Sequence, residues 1–409
     1  MTYHIAVIGS GIAGLAAAYG CMKHGHEVTV FEAEKSLGMA AHALEFDQGV
    51  IDVPLRVMSP DAWPSVVALA KEVGIDSYPV QTFTSCSWLD QSTWFRSGKL
   101  PLLNQPFVGS WRYLNLNALQ IGLGLRQLAQ LTRRLEQQQA RSTLGEVLEQ
   151  QSFSPKFWRG LMLPILTTIC TCDEKHLLAW PALQLLQLLD QILRNDSLYR
   201  LKGGSSALVN ALSEGVELHA GSPVTAVNYS GDKVQVENQR GEGGLYDRVI
   251  IATQANHTHF LDSEDFAAEL EILQAIRFDS GMLWVHQDER FMPERRSDWT
   301  ALNFQMDYQL RKPMFTVWVN AMEPSLANAS PVFQTWNPLY NPEPKTVLAQ
   351  IPLQRAVVHA GTEQAQKKLQ QLHQQPDRRV FFCGSWAHEG VPLLESAVSS
   401  AHAVVALCH

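Results

Sequence analysis

No apolar run in this chain of 409 residues reaches about 18 without a charge, a proline or a polar break, which argues against a membrane-spanning helix. Peripheral contact with a membrane stays open. Charge is sparse: Asp, Glu, Lys and Arg make up 18% of the residues, and 32 Lys+Arg against 40 Asp+Glu leave a net −8. No basic block stands out, so nucleic acid is not an expected partner. Cysteine offers no disulfide framework, since Cys21, Cys86, Cys170, Cys172, Cys383 and Cys408 are scattered, as in a reducing compartment. Cys170-Thr171-Cys172 has no second pair or histidine cluster beside it and reads as core. His257 and His259 alone make no metal site either, so none is expected. A strand already under way at Ile5 leaves no room for a signal peptide, and the expected location is the cytoplasm. With 46% hydrophobic residues, the chain suits two or three ordinary globular domains.

The informative stretch is Tyr3–Glu32. Ile5-Ala6-Val7-Ile8 reads as a buried strand and runs straight into Gly9-Ser10-Gly11-Ile12-Ala13-Gly14. A small-residue helix follows (Leu15, Ala16, Ala17, Ala18), closed by Lys23, His24 and Gly25. A second strand, Glu27–Phe31, then ends at the acid Glu32. This is a βαβ unit with the G-x-G-x-x-G spacing. Gly9 permits the turn, Gly11 lets the backbone approach a pyrophosphate, and Gly14 lets the helix lie on the strand. The free N–H groups of the helix start attract phosphate. Glu32 stands where an acid accepts the ribose hydroxyls, and its charge disfavours a 2′-phosphate. FAD or NAD therefore fits better than NADP, and this stretch alone leaves the two undivided.

Further along, Ala43–Phe46 and Val50–Val53 form an expected hairpin around Asp47-Gln48-Gly49, and a helix is expected from about Trp63 to Val73. From about Trp111 to Tyr199 the apolar period is helical, with Leu125, Leu128, Leu131 and Leu135 in one stripe, which suits a cap over a cavity. Glu136–Ala140 reads as a solvated face. Short strands are expected at Val216–His219, Val224–Tyr229, Lys233–Asn238 and Leu245–Ala252. A helix is expected at Ala207–Leu212, and another over Pro392–Leu407. Buried strands of one nucleotide sheet recur at about 3–9, 27–31, 247–252 and 379–383, so the chain leaves that sheet and returns to it. The expected fold is α/β: a discontinuous Rossmann-type FAD-binding domain with a parallel sheet, and a substrate domain of mixed sheet with a helical cap. The expected segments are 1–78, 201–256 and 376–409 for the first domain, with 79–200 and 257–375 for the second.

That interleaving resembles the FAD-dependent amine oxidase and phytoene desaturase superfamily. It is most similar to bacterial FAD/NAD-binding flavoproteins akin to polyunsaturated fatty acid double-bond isomerases. The resemblance is carried by Val7–Gly14, Ile51-Asp52-Val53-Pro54-Leu55-Arg56-Val57, Leu201-Lys202-Gly203-Gly204-Ser205 and Phe382-Cys383-Gly384-Ser385-Trp386. It implies FAD held along its length. Gly9, Ser10, Gly11, Ile12, Ala13 and Gly14 would hold the pyrophosphate, Glu32 and Ala33 the adenosine ribose, and the backbone of Val224 the adenine. Gly384 and Ser385 would meet the second phosphate or the ribityl chain. Val391, Pro392 and Leu393 would open a helix whose positive end lies beneath the flavin ring and favours its anionic reduced form.

Three features depart from that superfamily. Gly38 and Met39 would meet the cofactor, with Met39 where a second glycine is usual, Val391 and Pro392 stand where monoamine oxidases carry an aromatic cage, and no lysine matches the one that often serves flavin N5.

For catalysis, Arg56 and Val57 would lie by the flavin, Arg56 as a flavin or carboxylate contact or as a structural ion pair. His388 and Glu389 flank the entry of the last helix, as acid/base groups or as a polar loop. Trp386 reads as a ring contact or as core, and Glu395 as a charge favouring its own helix start. The resemblance implies hydride transfer from a C–H bond of a largely apolar small molecule to FAD, by desaturation or oxidation. A double-bond isomerase of a lipid-like substrate, an amine oxidase and a flavoprotein partner without turnover are the alternatives. The oligomeric state is not legible.

Overall fold

The computed structural model describes residues 1–47, 49–100, 103–193 and 198–408, so the Gln48 position of the expected hairpin turn lies outside the described residues. Strand β1 (His4–Ile8), helix α1 (Ile12–Lys23) and strand β2 (Glu27–Glu32) open a parallel five-stranded sheet. Its order is Glu217–Ala220, β2, β1, Arg248–Ile251, Val380–Phe382. β1 is buried on both faces. Ile5 and Val7 enter the core shared with α1, while Ala6 and Ile8 enter the core on the other side, as the two-residue period of a strand requires. The small side chains of α1 let it pack against the C-terminal helix Leu394–Val405.

Two details of this sheet differ from the sequence reading. Glu217–Ala220 belongs to it, as an edge strand parallel to β2, and its partly exposed residues carry no buried-strand signature. The single strand expected over Leu245–Ala252 is broken at Asp247. That residue's carboxylate accepts the His4 N–H at 2.8 Å and its own N–H donates to the His4 carbonyl at 2.9 Å. Gly244–Tyr246 therefore pairs in a separate antiparallel sheet, and Arg248–Ile251 pairs with β1.

The remaining bulk is a seven-stranded mixed sheet, antiparallel except where Leu302–Met306 runs parallel to Thr84–Trp88. Helices Leu116–Gln138, Leu163–Cys170 and Ala182–Leu193 cover one side of it. The first is capped by the Asn115 side chain, which accepts the N–H groups of Asn117 and Ala118. Leu128, Leu131 and Leu135 are its buried stripe. All six cysteines are buried and free. Among the described residues there is no metal-binding cluster and no helix long and apolar enough to cross a membrane.

One buried ion-pair network joins the strand Leu198–Leu201 to segments distant in the chain. Arg200, 1% exposed, donates to Asp52 Oδ2 at 3.1 Å, to Glu323 Oε2 at 2.8 Å, to the Arg56 carbonyl at 3.0 Å and to the Tyr78 hydroxyl at 3.2 Å. Asp52 also accepts the Ser205 N–H at 3.0 Å. Burial alone lowers the pKa of Arg200, but Asp52, Tyr78 and Glu323 together hold it above the ordinary arginine value. Removing the cation strands the buried Asp52 carboxylate and the partly buried one of Glu323. Arg200→Met is expected to lower the unfolding free energy by about 3–5 kcal/mol, read from denaturant unfolding of purified protein. A loss under about 1 kcal/mol would mean that the pair is solvated.

His373 accepts the Phe382 N–H at 3.0 Å from within the core, and burial, with Arg378 beside it, pushes its pKa from 6.5 down to about 3. Burial lowers His286 to about 4. The unfolded chain protonates these rings near 6.5 while the folded protein keeps them neutral. Their contribution to stability is therefore complete above 6.5 and lost as the pH falls toward 4. The slope approaches about 1.4 kcal/mol per pH unit for each ring. Unfolding titrations between pH 7 and pH 4 should show this loss, and His373→Gln should flatten it.

Candidate active site

The glycine turn at the end of β1 is built by contact. A Cβ on Gly14 would stand 1.9 Å from the Gly9 carbonyl oxygen, so α1 rests directly on the turn. Around Gly11 the reverse holds, for a Cβ there would meet nothing within 4 Å. α1 starts at this point without a side-chain cap. Its first-turn N–H groups thus open onto a free groove, the arrangement that takes a phosphate.

The acid lies beside this turn. Glu32 accepts the Ser10 N–H at 2.8 Å, the Ser10 hydroxyl at 2.5 Å and the Glu34 N–H at 2.9 Å. A carboxylate has about four acceptor positions, so one remains for a ribose hydroxyl. Gly38 closes onto the same turn. Its N–H donates to the Ser10 hydroxyl at 3.0 Å, its φ is +47°, and a Cβ would lie 2.2 Å from the Ser10 carbonyl. Ala33 is exposed next to Glu32. Gly221 and Ser222 donate their N–H groups to the carbonyls of Glu34 (2.8 Å) and Glu32 (3.1 Å), which brings the strand opening at Val224 to this end of the groove.

From Gly11, Ile12 and Ala13 a cavity of about 760 Å³ runs past Arg56 and Val57 and past Gly384, Ser385, Trp386, Pro392 and Leu393 into the space between mixed sheet and cap. Phe83, Phe95, Ile121, Leu161, Ile165 and Phe304 are part of its apolar far end. Thr253 and Gln254 line it as well, and Thr253 Oγ1, Gln254 Oε1 and the nearby Ser222 Oγ are buried without a hydrogen-bond partner. Buried polar atoms are seldom left so. An uncapped helix start, an acid with room for a hydroxyl and orphaned hydroxyl and amide groups along one groove fit a dinucleotide. FAD is the flavin form that has a pyrophosphate to place there.

The expected site residues fall into groups. Gly11, Ile12, Ala13, Arg56, Val57, Gly384, Ser385, Pro392 and Leu393 line the cavity, and Gly9, Ser10, Gly14 and Gly38 frame the turn behind it. Met39 is buried, with its carbonyl 3.4 Å from Arg56 Nη1. Arg56 also donates to Ser205 Oγ at 2.9 Å and to the Pro54 carbonyl at 3.3 Å. Burial, against the pull of Asp52, takes its pKa down to about 10, so it is cationic at neutral pH.

His388 and Glu389 lie outside the lining. The His388 carbonyl accepts Gln366 Nε2 at 2.7 Å, its ring Nδ1 is 2.9 Å from the Glu389 carbonyl, and Glu389 is exposed. Their backbone is spent on holding the loop. Glu395 faces away from its own helix start and accepts the N–H groups of Ser65 (3.0 Å) and Val66 (3.2 Å), capping the helix Pro64–Glu72 from across the interface. His257 and His259 are exposed and off the cavity. Trp386 lines it and donates Nε1 to the Thr253 carbonyl at 3.0 Å.

Sequence reasoning missed Arg355. It lies on strand Val347–Val357 and lines the cavity, and its guanidinium has no hydrogen-bond or ion-pair partner among the described residues. Burial lowers its pKa. Nothing in the local sequence marks it. Apart from Arg355 and Arg56, no described lining residue is ionisable: the wall holds no carboxylate, histidine, lysine, tyrosine or cysteine.

Comparison with known proteins agrees with this geometry. Cyclohexylamine oxidase from Brevibacterium oxydans IH-35A superposes with a TM-score of 0.69 at 13% identity, covering 99% of each chain. A putrescine oxidase gives 0.68 at 14%, covering 99% of this chain and 98% of that one. A CLA-producing fatty acid isomerase from P. acnes gives 0.67 at 14%, covering 98% and 97%. At such identities these neighbours establish the fold. A 4,4'-diapophytoene desaturase of Staphylococcus aureus (strain COL) is 44% identical over 63 residues, 15% of this chain and 12% of the relative, so the match spans about an eighth of that enzyme. A family model matches residues 12–287, and the chain belongs to the flavin containing amine oxidoreductase family.

Proposed function

We propose that this FAD-dependent oxidoreductase takes a hydride from a C–H bond of a largely apolar small molecule. The observation that carries this is the continuity of the dinucleotide groove with a chamber walled by Phe83, Phe95, Ile121, Leu161, Ile165 and Phe304. FAD bound in the groove supplies the hydride acceptor. The chain's own residues do the rest. The apolar wall strips water from the substrate and holds it beside the ring. Arg56, held by Ser205 Oγ and two carbonyls, sets a fixed positive charge at the junction of groove and chamber. Arg355 adds a second one, its guanidinium without a partner among the described residues. An unpaired buried cation is costly, so the substrate that suits this wall carries one acidic group for Arg355 to meet.

A double-bond isomerisation is the second reading, favoured by the lack of a carboxylate, histidine, lysine, tyrosine or cysteine among the described lining residues. Desaturation removes a hydride and then a proton, and the proton needs a base. Withdrawing a hydride from one carbon and returning it to another shifts the double bond with no net loss of either hydrogen or electrons.

The reading supports three measurements. Mixed anaerobically with the oxidised holoprotein, an apolar acyl or polyene substrate should bleach the visible flavin band if it is oxidised, or yield a shifted double bond with no lasting bleaching if it is isomerised. An amine as the sole active substrate, or no response to any class, would sink the proposal. Gly11→Val fills the open groove and should cost the protein its flavin, leaving it colourless after gel filtration. Arg355→Met should weaken binding of a long-chain carboxylic acid about tenfold or more while leaving that of its methyl ester unchanged. Equal affinity of the wild type for acid and ester would remove the role given to Arg355.

A further inference from the structure

The helix Leu116–Gln138 is apolar on two faces over its first turns. Inward, Ala118, Ile121 and Gly124 are buried, and Ile121 and Leu125 line the cavity. Outward, Leu116 (76% exposed), Leu119 (57%) and Leu123 (58%) form a stripe at helical spacing, continued upstream by Trp111 (56%) and Leu114 (55%). A helix that is apolar on opposite faces has two apolar neighbours, and here the described residues supply only one.

The charge around the stripe is one-sided. Between residues 91 and 135 there is no Asp or Glu, while Arg96, Lys99, Arg112, Arg126, Arg133 and Arg134 are all present, in a chain of net charge −8. Arg112, Arg126, Arg133 and Arg134 are exposed. None of these four forms an ion pair among the described residues.

We propose that this face, Trp111 to Leu123 with its flanking arginines, lies on the surface of a bilayer that contains anionic lipid. Leucines and a tryptophan enter the headgroup boundary while guanidinium groups stay at the level of the lipid phosphates. A second copy of the chain fits less well, because a symmetric interface would set the same unpaired arginines against each other. The location also has a use, which rests on the reading of an apolar substrate: the same helix touches the bilayer with one face and the chamber with the other. A lipid-like molecule would then pass between the two along a path a single helix wide.

Co-sedimentation of the FAD-loaded full chain with vesicles tests this without turnover. Phosphatidylcholine vesicles containing phosphatidylglycerol should bind the protein, pure phosphatidylcholine much less, and added salt should release it. Leu116→Glu/Leu119→Glu should reduce binding about tenfold or more, and Arg112→Gln/Arg126→Gln should reduce it and lessen its salt sensitivity. An unchanged visible flavin band shows that the variants fold and that the cofactor assignment stands apart from the result. Failure to bind anionic vesicles at low salt, full binding by the leucine variant, or a dimer that the leucine variant converts to monomer would each overturn the proposal.

Discussion

The fold turns on an atom that is missing. With no Cβ on Gly14, the helix behind the first strand comes down onto the Gly9 carbonyl, where a methyl group would stand 1.9 Å away. That contact fixes where α1 begins, and so where its uncapped N–H groups point. Gly38 makes the same kind of approach from the other side, resting on Ser10. Glu32 ties Ser10 to the end of β2, so turn, acid and following loop form one rigid rim. The central position of β1 carries this geometry outward, with β2 on one side, Arg248–Ile251 on the other and an apolar core on each face.

Features written locally were readable from the residues. The βαβ unit, its acid, the return of buried strands and the helical cap depend on short-range periodicity, and the parallel sheet, mixed sheet and cap are present as expected. What escaped depends on partners distant in the chain. Arg200 finds Asp52 from 148 residues away and Glu323 from 123. Asp247 breaks a run of strand-forming residues because it meets the backbone of His4. Glu395, in the first turn of its helix, caps a different one. His388 and Glu389 sit near the last helix in sequence, but the loop turns them off the chamber. Spacing alone could not register any of these, because each is decided by which surface the chain folds against.

The chamber itself is defined by contrast. A wall of aromatic and aliphatic side chains carries two guanidinium groups, and the two differ in kind. Arg56 is held by protein oxygens and belongs to the frame, whereas Arg355 lines the space with no anion to meet it among the described residues. Among the described residues the wall has fixed positive charge and no ionisable side-chain base, which constrains chemistry toward steps that move hydride. The same wall explains why the surrounding elements are so apolar in the helical region, where the inner face of the cap is also the lining of the chamber.

One strand and one helix close the cofactor domain from far along the chain. Val380–Phe382 closes one edge of the parallel sheet, Leu394–Val405 covers the helix made at the beginning, and Gly384, Ser385, Pro392 and Leu393 complete the groove wall. The glycine turn therefore gains its cover only from segments far along the chain from it. Docking of α1 against Leu394–Val405 thus completes the groove, and a chain cut short before residue 380 would lack one edge of the sheet and one wall of the groove.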